Sequence, residues 1–296
     1  MFAKQQVEYY QGADGEPLQL LHWRPLAEAP WVRIVALHGI QSHAAWYGYS
    51  SERLATAGAE VFFLDRRGSG MNQSRRGHTP DLETLVEDVR RFLVDRRRES
   101  APLRPGAELV LMGISWGGKL ATEVAVRAPH LVDRLVLLSP GLCAHVRARW
   151  WQTLPLVLAH RLCLGNRRVP IPLRDPELFT SQPLWQDFIR NDPLALHKVT
   201  VSFLMANREL DQSLQRAAGR VACPLLALLS GNDRIIDNDA TRARVRALAS
   251  GNHQVLVYPG ASHTLEFEPD RDRIVDDLIA WLRSGPDRNA EGNSVA

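Results

Sequence analysis

Cysteine, lysine and long apolar runs are all scarce in this chain, and each scarcity excludes something. The three cysteines, Cys143, Cys163 and Cys223, are an odd number with no C-x-x-C spacing. A disulfide framework and a thiolate zinc site are therefore not expected, and a reducing, cytoplasmic compartment fits best. No stretch approaches the roughly 18 consecutive apolar residues of a spanning helix. The opening Met1-Phe2-Ala3-Lys4-Gln5-Gln6 has no apolar leader core. Lysine occurs only at Lys4, Lys119 and Lys198, so nearly all the cationic side chains are arginine. The charge excess is only +3, which does not mark a nucleic-acid binder. His-Glu-x-x-His and clustered-carboxylate patterns are missing as well, so neither a metal nor another cofactor is expected.

What is present points to a large α/β unit. The chain has 296 residues, 45% of them hydrophobic, enough for a substantial core. Short apolar runs read as strands at Val7 to Tyr10, Leu18 to Trp23, Val32 to Leu37, Glu60 to Leu64, Leu109 to Gly113, Leu135 to Leu138, Leu225 to Leu229 and Val255 to Val257. Helical periodicity falls between them, over Tyr49 to Ala57, Leu82 to Arg98, Gly118 onward, Ala240 to Leu248 and Arg271 to Leu282. Such alternation predicts a mainly parallel eight-stranded sheet with helices on both faces. The alternation breaks between Pro140 and about Arg220, where helical fragments and no clear strand are read. The expected organisation is a core of residues 1–140 and 221–283, an inserted helical cap at 141–220, and a polar, frayed tail at 284–296.

Four strand ends carry residues suited to chemistry, and ligands of open parallel sheets bind at the carboxyl ends of strands. These are His38-Gly39-Ile40, Gly113-Ile114-Ser115-Trp116-Gly117, Gly231-Asn232-Asp233 and Gly260-Ala261-Ser262-His263. In the second, a strand, a tight turn and a helix place Ser115 at the apex, where flanking glycines leave room for a strained backbone. A serine hydroxyl needs a base, an imidazole titrates near operating pH, and a carboxylate fixes the imidazole's tautomer. The expected roles are Ser115 as nucleophile, His263 as general base and acid, and Asp233 as the orienting carboxylate. The backbone N–H groups of Ile40 and Trp116 would form the oxyanion hole. Asp237 and Asp239 are rivals to Asp233, which is preferred because it directly follows its strand.

These stretches, with Asp65-Arg66-Arg67-Gly68-Ser69-Gly70, resemble the α/β-hydrolases of the monoacylglycerol lipase and lysophospholipase type, grouped with the serine-aminopeptidase-like hydrolases. The resemblance spans about residues 15 to 283. It implies an α/β-hydrolase fold with a cap between the strand before Pro140 and the strand after Pro224. It implies that His38 braces the oxyanion loop and that Asp65 anchors its own loop through Ser69. Many lipases of this group carry methionine after the nucleophile, so Trp116 is expected to reshape the acyl pocket.

The insertion supplies the expected substrate surface. Residues 141–174 hold Arg147, Arg149, Arg161, Arg167, Arg168 and Arg174 with no Asp or Glu before Asp175, together with Trp150 and Trp151. Such a segment suits a lid in water, a cationic rim over an acyl tunnel, or peripheral contact with an anionic bilayer. Trp150, Trp151 and Trp185 are the candidate substrate-binding residues. The predicted activity is hydrolysis of a lipophilic carboxylic ester, such as a monoacylglycerol or lysophospholipid. A thioesterase or an amidase/peptidase on the same triad, and a non-catalytic ligand-binding protein on a hydrolase scaffold, are the rival readings. The sequence does not fix an oligomeric state.

Overall fold

The computed structural model describes residues 4–26, 29–99, 107–145, 158 and 164–284. The first elements are β1 (Lys4–Gln11) and β2 (Pro17–Arg24), an antiparallel hairpin whose turn uses Gly15 at φ 81°. Next come β3 (Val32–Leu37), α1 (Gly48–Thr56), β4 (Ala59–Leu64) and α2 (Leu82–Arg98). They are followed by β5 (Glu108–Ile114), α3 (Trp116–Arg127) and β6 (Arg134–Leu138). The insertion contributes β7 (Arg168–Pro170), α4 (Pro183–Asn191), β8 (Lys198–Thr200) and α5 (Val201–Gln215). The chain returns to the sheet with β9 (Leu225–Ser230), α6 (Asn238–Leu248), β10 (His253–Tyr258) and α7 (Arg271–Arg283).

Eight strands form one sheet in the order β1-β2-β4-β3-β5-β6-β9-β10. From β4 to β10 every neighbouring pair is parallel, and the two antiparallel pairings lie at the β1–β2 end. Every residue of β3 and β9 is buried, as expected for central strands covered on both faces. Side chains alternate across the sheet, so each strand feeds two cores. On one face Val35, Leu111, Leu137 and Leu229 pack with residues of α2, α3, α5 and α6. On the other, Ile34, Val110, Val136 and Leu228 pack with residues of α1 and α7.

Local chemistry sets several helix starts. Asp81, Thr200 and Asp237 accept the backbone N–H groups of Thr84, Phe203 and Ala240 and so cap α2, α5 and α6. The insertion differs from the reading of the sequence in two respects. It contains a short antiparallel ribbon, β7 with β8, of three residues each, too short to stand out as a strand pattern. Helix α5 sends Phe203, Leu210 and Leu214 into the same core as α2 and α3. This packing ties α5 to the sheet side of the molecule.

Candidate active site

Ser115 occupies the turn between β5 and α3 with φ 52° and ψ −119°. A non-glycine residue is strained there, by about 1–3 kcal/mol. Its surroundings hold it in place. A Cβ at Gly113 would lie 2.6 Å from Gly117 O, and one at Gly117 would lie 2.4 Å from Leu37 O. Larger residues at either position would push the strand, turn and helix apart. The Ser115 carbonyl accepts the N–H groups of Gly118 and Gly141, and its own N–H donates to Leu138 O. Helix α3 starts at the next residue, so its positive end lies behind the hydroxyl.

His263 and Asp233 come from the loops after β10 and β9. His263 Nε2 is 2.9 Å from Ser115 Oγ, and His263 Nδ1 is 2.8 Å from Asp233 Oδ2. An ionised carboxylate only accepts, so Nδ1 carries the proton and Nε2 is left to accept from the serine hydroxyl. The other carboxylate oxygen of Asp233 accepts the N–H groups of Ile235 at 2.8 Å and Ile236 at 2.9 Å. Both oxygens are thus committed, and the side chains of His263 and Asp233 are buried. The rival Asp237 is occupied as the α6 cap, and Asp239 lies in the first turn of that helix. Asp233 N donates to Ser230 O and Asn232 N to Ala261 O, which tie the two loops to the strand ends and to each other.

The loop after β3 closes the site from a third side. A Cβ at Gly39 would stand 3.3 Å from Ser115 Cβ, so this loop lies against the nucleophile. Gly39 N donates to Ser42 Oγ at 3.0 Å, whereas the N–H groups of Ile40 and Trp116 have no acceptor among the described residues. His38 is fully buried behind the loop. Its Nε2 accepts Arg66 N–H at 3.0 Å, so its Nδ1 carries the proton and donates to Gly39 O at 2.7 Å. Burial, with the Arg66 guanidinium beside it, holds this imidazole well below the usual histidine range. It is a neutral brace.

Asp65 does not act through Ser69 as the resemblance implied. Its carboxylate accepts the N–H groups of Ala44 and Met71, both at 2.8 Å, and Ser69 Oγ instead accepts from Arg66 at 2.6 Å. The reason is geometric: Gly70, at φ 53°, folds the turn back over the Asp65 carboxylate, and a Cβ there would meet Asp65 Oδ2 at 2.2 Å.

Trp116 directs its indole inward. The ring lies 5.1 Å from that of Phe203, and Nε1 donates to Asn207 Oδ1 at 2.8 Å on α5. Trp185 stacks on Phe267 at 4.5 Å, in the loop that follows His263. Phe179 meets the His263 ring edge-on at 6.0 Å, and its carbonyl accepts Thr264 N–H. Trp150 and Trp151 lie outside the described residues. Sequence reading passed over His43 as ordinary. It is buried, with Nε2 2.9 Å from Asp192 Oδ2 at the end of α4, and Trp46 Nε1 donates to the same oxygen at 2.6 Å. A partner 149 positions away leaves no local signal. Among the described residues no group of His, Cys, Asp and Glu could hold a metal ion, and no helix is long and apolar enough to cross a membrane.

The family model described as serine aminopeptidase, S33 matches residues 28–270. The monoacylglycerol lipase of Mycolicibacterium smegmatis is 30% identical over 265 residues, covering 88% of this chain and 91% of that protein. The monoglyceride lipase of Rattus norvegicus is 24% identical over 281 residues, covering 94% and 90%. Among solved structures, a soluble variant of monoglyceride lipase from Saccharomyces cerevisiae in complex with a substrate analog superposes with a TM-score of 0.79. Its identity is 20%, and 96% of each chain is covered.

Proposed function

Because this chain belongs to the serine aminopeptidase S33 family of α/β-hydrolases, we propose that it cleaves lipophilic carboxylic esters, monoacylglycerol or lysophospholipid in kind, through an acyl intermediate on Ser115. The chain is a carboxylic-ester hydrolase. The observation that carries the mechanism is the unbroken relay from Ser115 Oγ through His263 to Asp233, with bonds of 2.9 and 2.8 Å, at a turn strained to φ 52°.

In the first half-reaction Ser115 Oγ attacks the ester carbonyl carbon, and its proton passes to His263 Nε2. The carbonyl π electrons move to oxygen, and that charge is received by the N–H groups of Ile40 and Trp116. The tetrahedral adduct collapses, the C–O bond to the alcohol breaks, and His263 returns the proton to the departing alkoxide. Asp233 keeps the imidazole oriented and stabilises its cationic form. In the second half-reaction water attacks the acyl carbon while His263 takes its proton. The acid leaves, and Ser115 Oγ recovers the proton from Nε2.

Lipophilic substrate preference is supported by Phe179, edge-on to the His263 ring, and by the partly exposed rings of Trp185 and Phe188, which pack on the buried Trp46 and Phe267. Such a wall gains more from an acyl chain than from a polar side chain. The test is a matched panel with one acyl group presented as ester, thioester and anilide, in a short and a long chain. The reading expects kcat/KM to be highest for the long ester. A protein that leaves medium-chain p-nitrophenyl esters and monoacylglycerols intact contradicts it.

A further inference from the structure

Arg66 and Arg67 are consecutive, both buried, and differently partnered. Arg67 is matched by carboxylates: Nε is 2.6 Å from Asp88 Oδ2, and its terminal nitrogens reach Asp14 at 3.1 Å. That is how a structural arginine is normally accommodated, because an unpaired buried charge is costly. Arg66 has no carboxylate within 4.0 Å of its guanidinium among the described residues. Its nitrogens donate to Gly39 O at 3.3 Å, Ile40 O at 3.2 Å and Ser69 Oγ at 2.6 Å. Its buried Nε has no hydrogen-bond partner among the described residues. The guanidinium carbon lies 4.7 Å from the Trp116 ring centroid and 5.1 Å from that of Phe203. Burial brings its pKa down to about 9, so the group is still cationic at neutral pH.

Two of its three acceptors are carbonyls of the loop that faces Ser115. Gly39 O belongs to the same peptide unit as Ile40 N–H, and in a trans peptide the two groups point in opposite directions. Gly39 O therefore accepts from behind, from His38 Nδ1 at 2.7 Å and from Arg66, while Ile40 N–H is directed away from both donors. Hydrogen bonds to a carbonyl polarise its own N–H and make it a stronger donor. Resting on the ester-hydrolase reading above, we propose that Arg66 is a positioning residue of the oxyanion hole: its guanidinium fixes and polarises the Gly39–Ile40 peptide, so that Ile40 N–H meets the developing charge. The cation, with Asp65 as its nearest electrostatic counterpart but in no ion pair among the described residues, also lies over the indole ring of Trp116, the residue whose backbone N–H is the second donor, and favours negative charge in this dry interior.

A positioning role and a packing role separate in a comparison of two inhibitors. A trifluoromethyl ketone with a medium alkyl chain forms a tetrahedral, anionic adduct with the serine, whereas the matching methyl ketone binds as a neutral carbonyl. Arg66→Met keeps length and apolar bulk and removes the charge and the fork. It is expected to lower kcat about 10- to 100-fold with KM within about threefold. It should weaken the trifluoromethyl ketone by a similar factor and leave the methyl ketone unchanged. Arg66→Lys, which restores charge without the fork, should recover part of both losses. Equal weakening of the two ketones, or an unchanged kcat, overturns the proposal. If Arg66→Met does not fold, Ser69→Ala, which removes one acceptor of the fork, is put through the same pair of ketones. A selective loss of several-fold on the trifluoromethyl ketone supports the proposal, and none overturns it. A wild-type protein that neither turns over esters nor reacts with a fluorophosphonate would instead remove the underlying reading. Active, labelled wild type beside an Arg66→Met variant of normal kcat and ketone ratio removes only this inference.

Discussion

The rim of strand ends that holds Ser115, Asp233 and His263 and the inserted stretch that holds α4 are built on different principles. At the rim, position is set by backbone. Ser115 is held by three main-chain hydrogen bonds, Asp233 by two main-chain donors, and Gly117 lies too close to the backbone of Leu37 and His38 for any side chain. In the insertion, position is set by side chains stacked on side chains, Trp185 on Phe267 and Phe188 edge-on to Trp46. The rim is the part that must hold geometry to fractions of an ångström for acyl transfer. On the function proposed above, the insertion would meet the substrate's bulk and could tolerate a less specified fit.

The largest test of this contrast is chemical. Ser115→Ala, and separately Asp233→Asn, should reduce kcat by about 10⁴-fold or more while thermal stability changes little, read by steady-state kinetics beside a melting curve. Gly117→Ala should break the rim sterically, because the added methyl would lie 2.4 Å from Leu37 O and 2.5 Å from His38 O. A loss of about 3 kcal/mol, or roughly 10 °C in Tm, is expected by calorimetry.

The same contrast decides what could be read in the chain itself. The elbow at Ser115 was legible because a positive-φ residue between close-packed backbones demands glycines at fixed offsets. Asp233 was separable from Asp237 because one ends a strand and the other begins a helix. The eight sheet strands were legible from their apolar runs. The sheet-side packing of α5 was not legible, because an amphipathic helix does not state which apolar surface it will cover. Nor was the Arg66 grip on Gly39 and Ile40, or the bond between His43 and Asp192. Both depend on where loops distant in sequence come to rest, and a single arginine or histidine has no periodicity to read.

Smaller effects sharpen the comparison on the insertion side. Trp185→Ala should raise KM for long-chain esters several-fold, leave kcat on a short ester near wild type, and cost about 1–2 kcal/mol of stability from the lost stack on Phe267. Glu266, between the rim and α1, accepts the N–H of Ser50, and burial pushes its carboxyl up to about 7. A raised carboxyl stabilises the fold below its unfolded pKa, near 4.5, and that contribution is lost as pH rises through about 7. Glu266→Gln should therefore flatten the decline of Tm between pH 5 and pH 8 by a few degrees, seen in melts across that range. Leu184, 74% exposed on α4, should be the least sensitive: Leu184→Ser is expected to shift stability by no more than about 0.5 kcal/mol.

The most direct measurement is mass spectrometry of the protein quenched early in the turnover of a slow p-nitrophenyl ester, with the released phenol followed in parallel. The account predicts a burst of about one phenol per protein and an added acyl mass confined to the peptide that contains Ser115, both absent in Ser115→Ala. Turnover that persists in Ser115→Ala, or an acyl mass on any other residue, would contradict it.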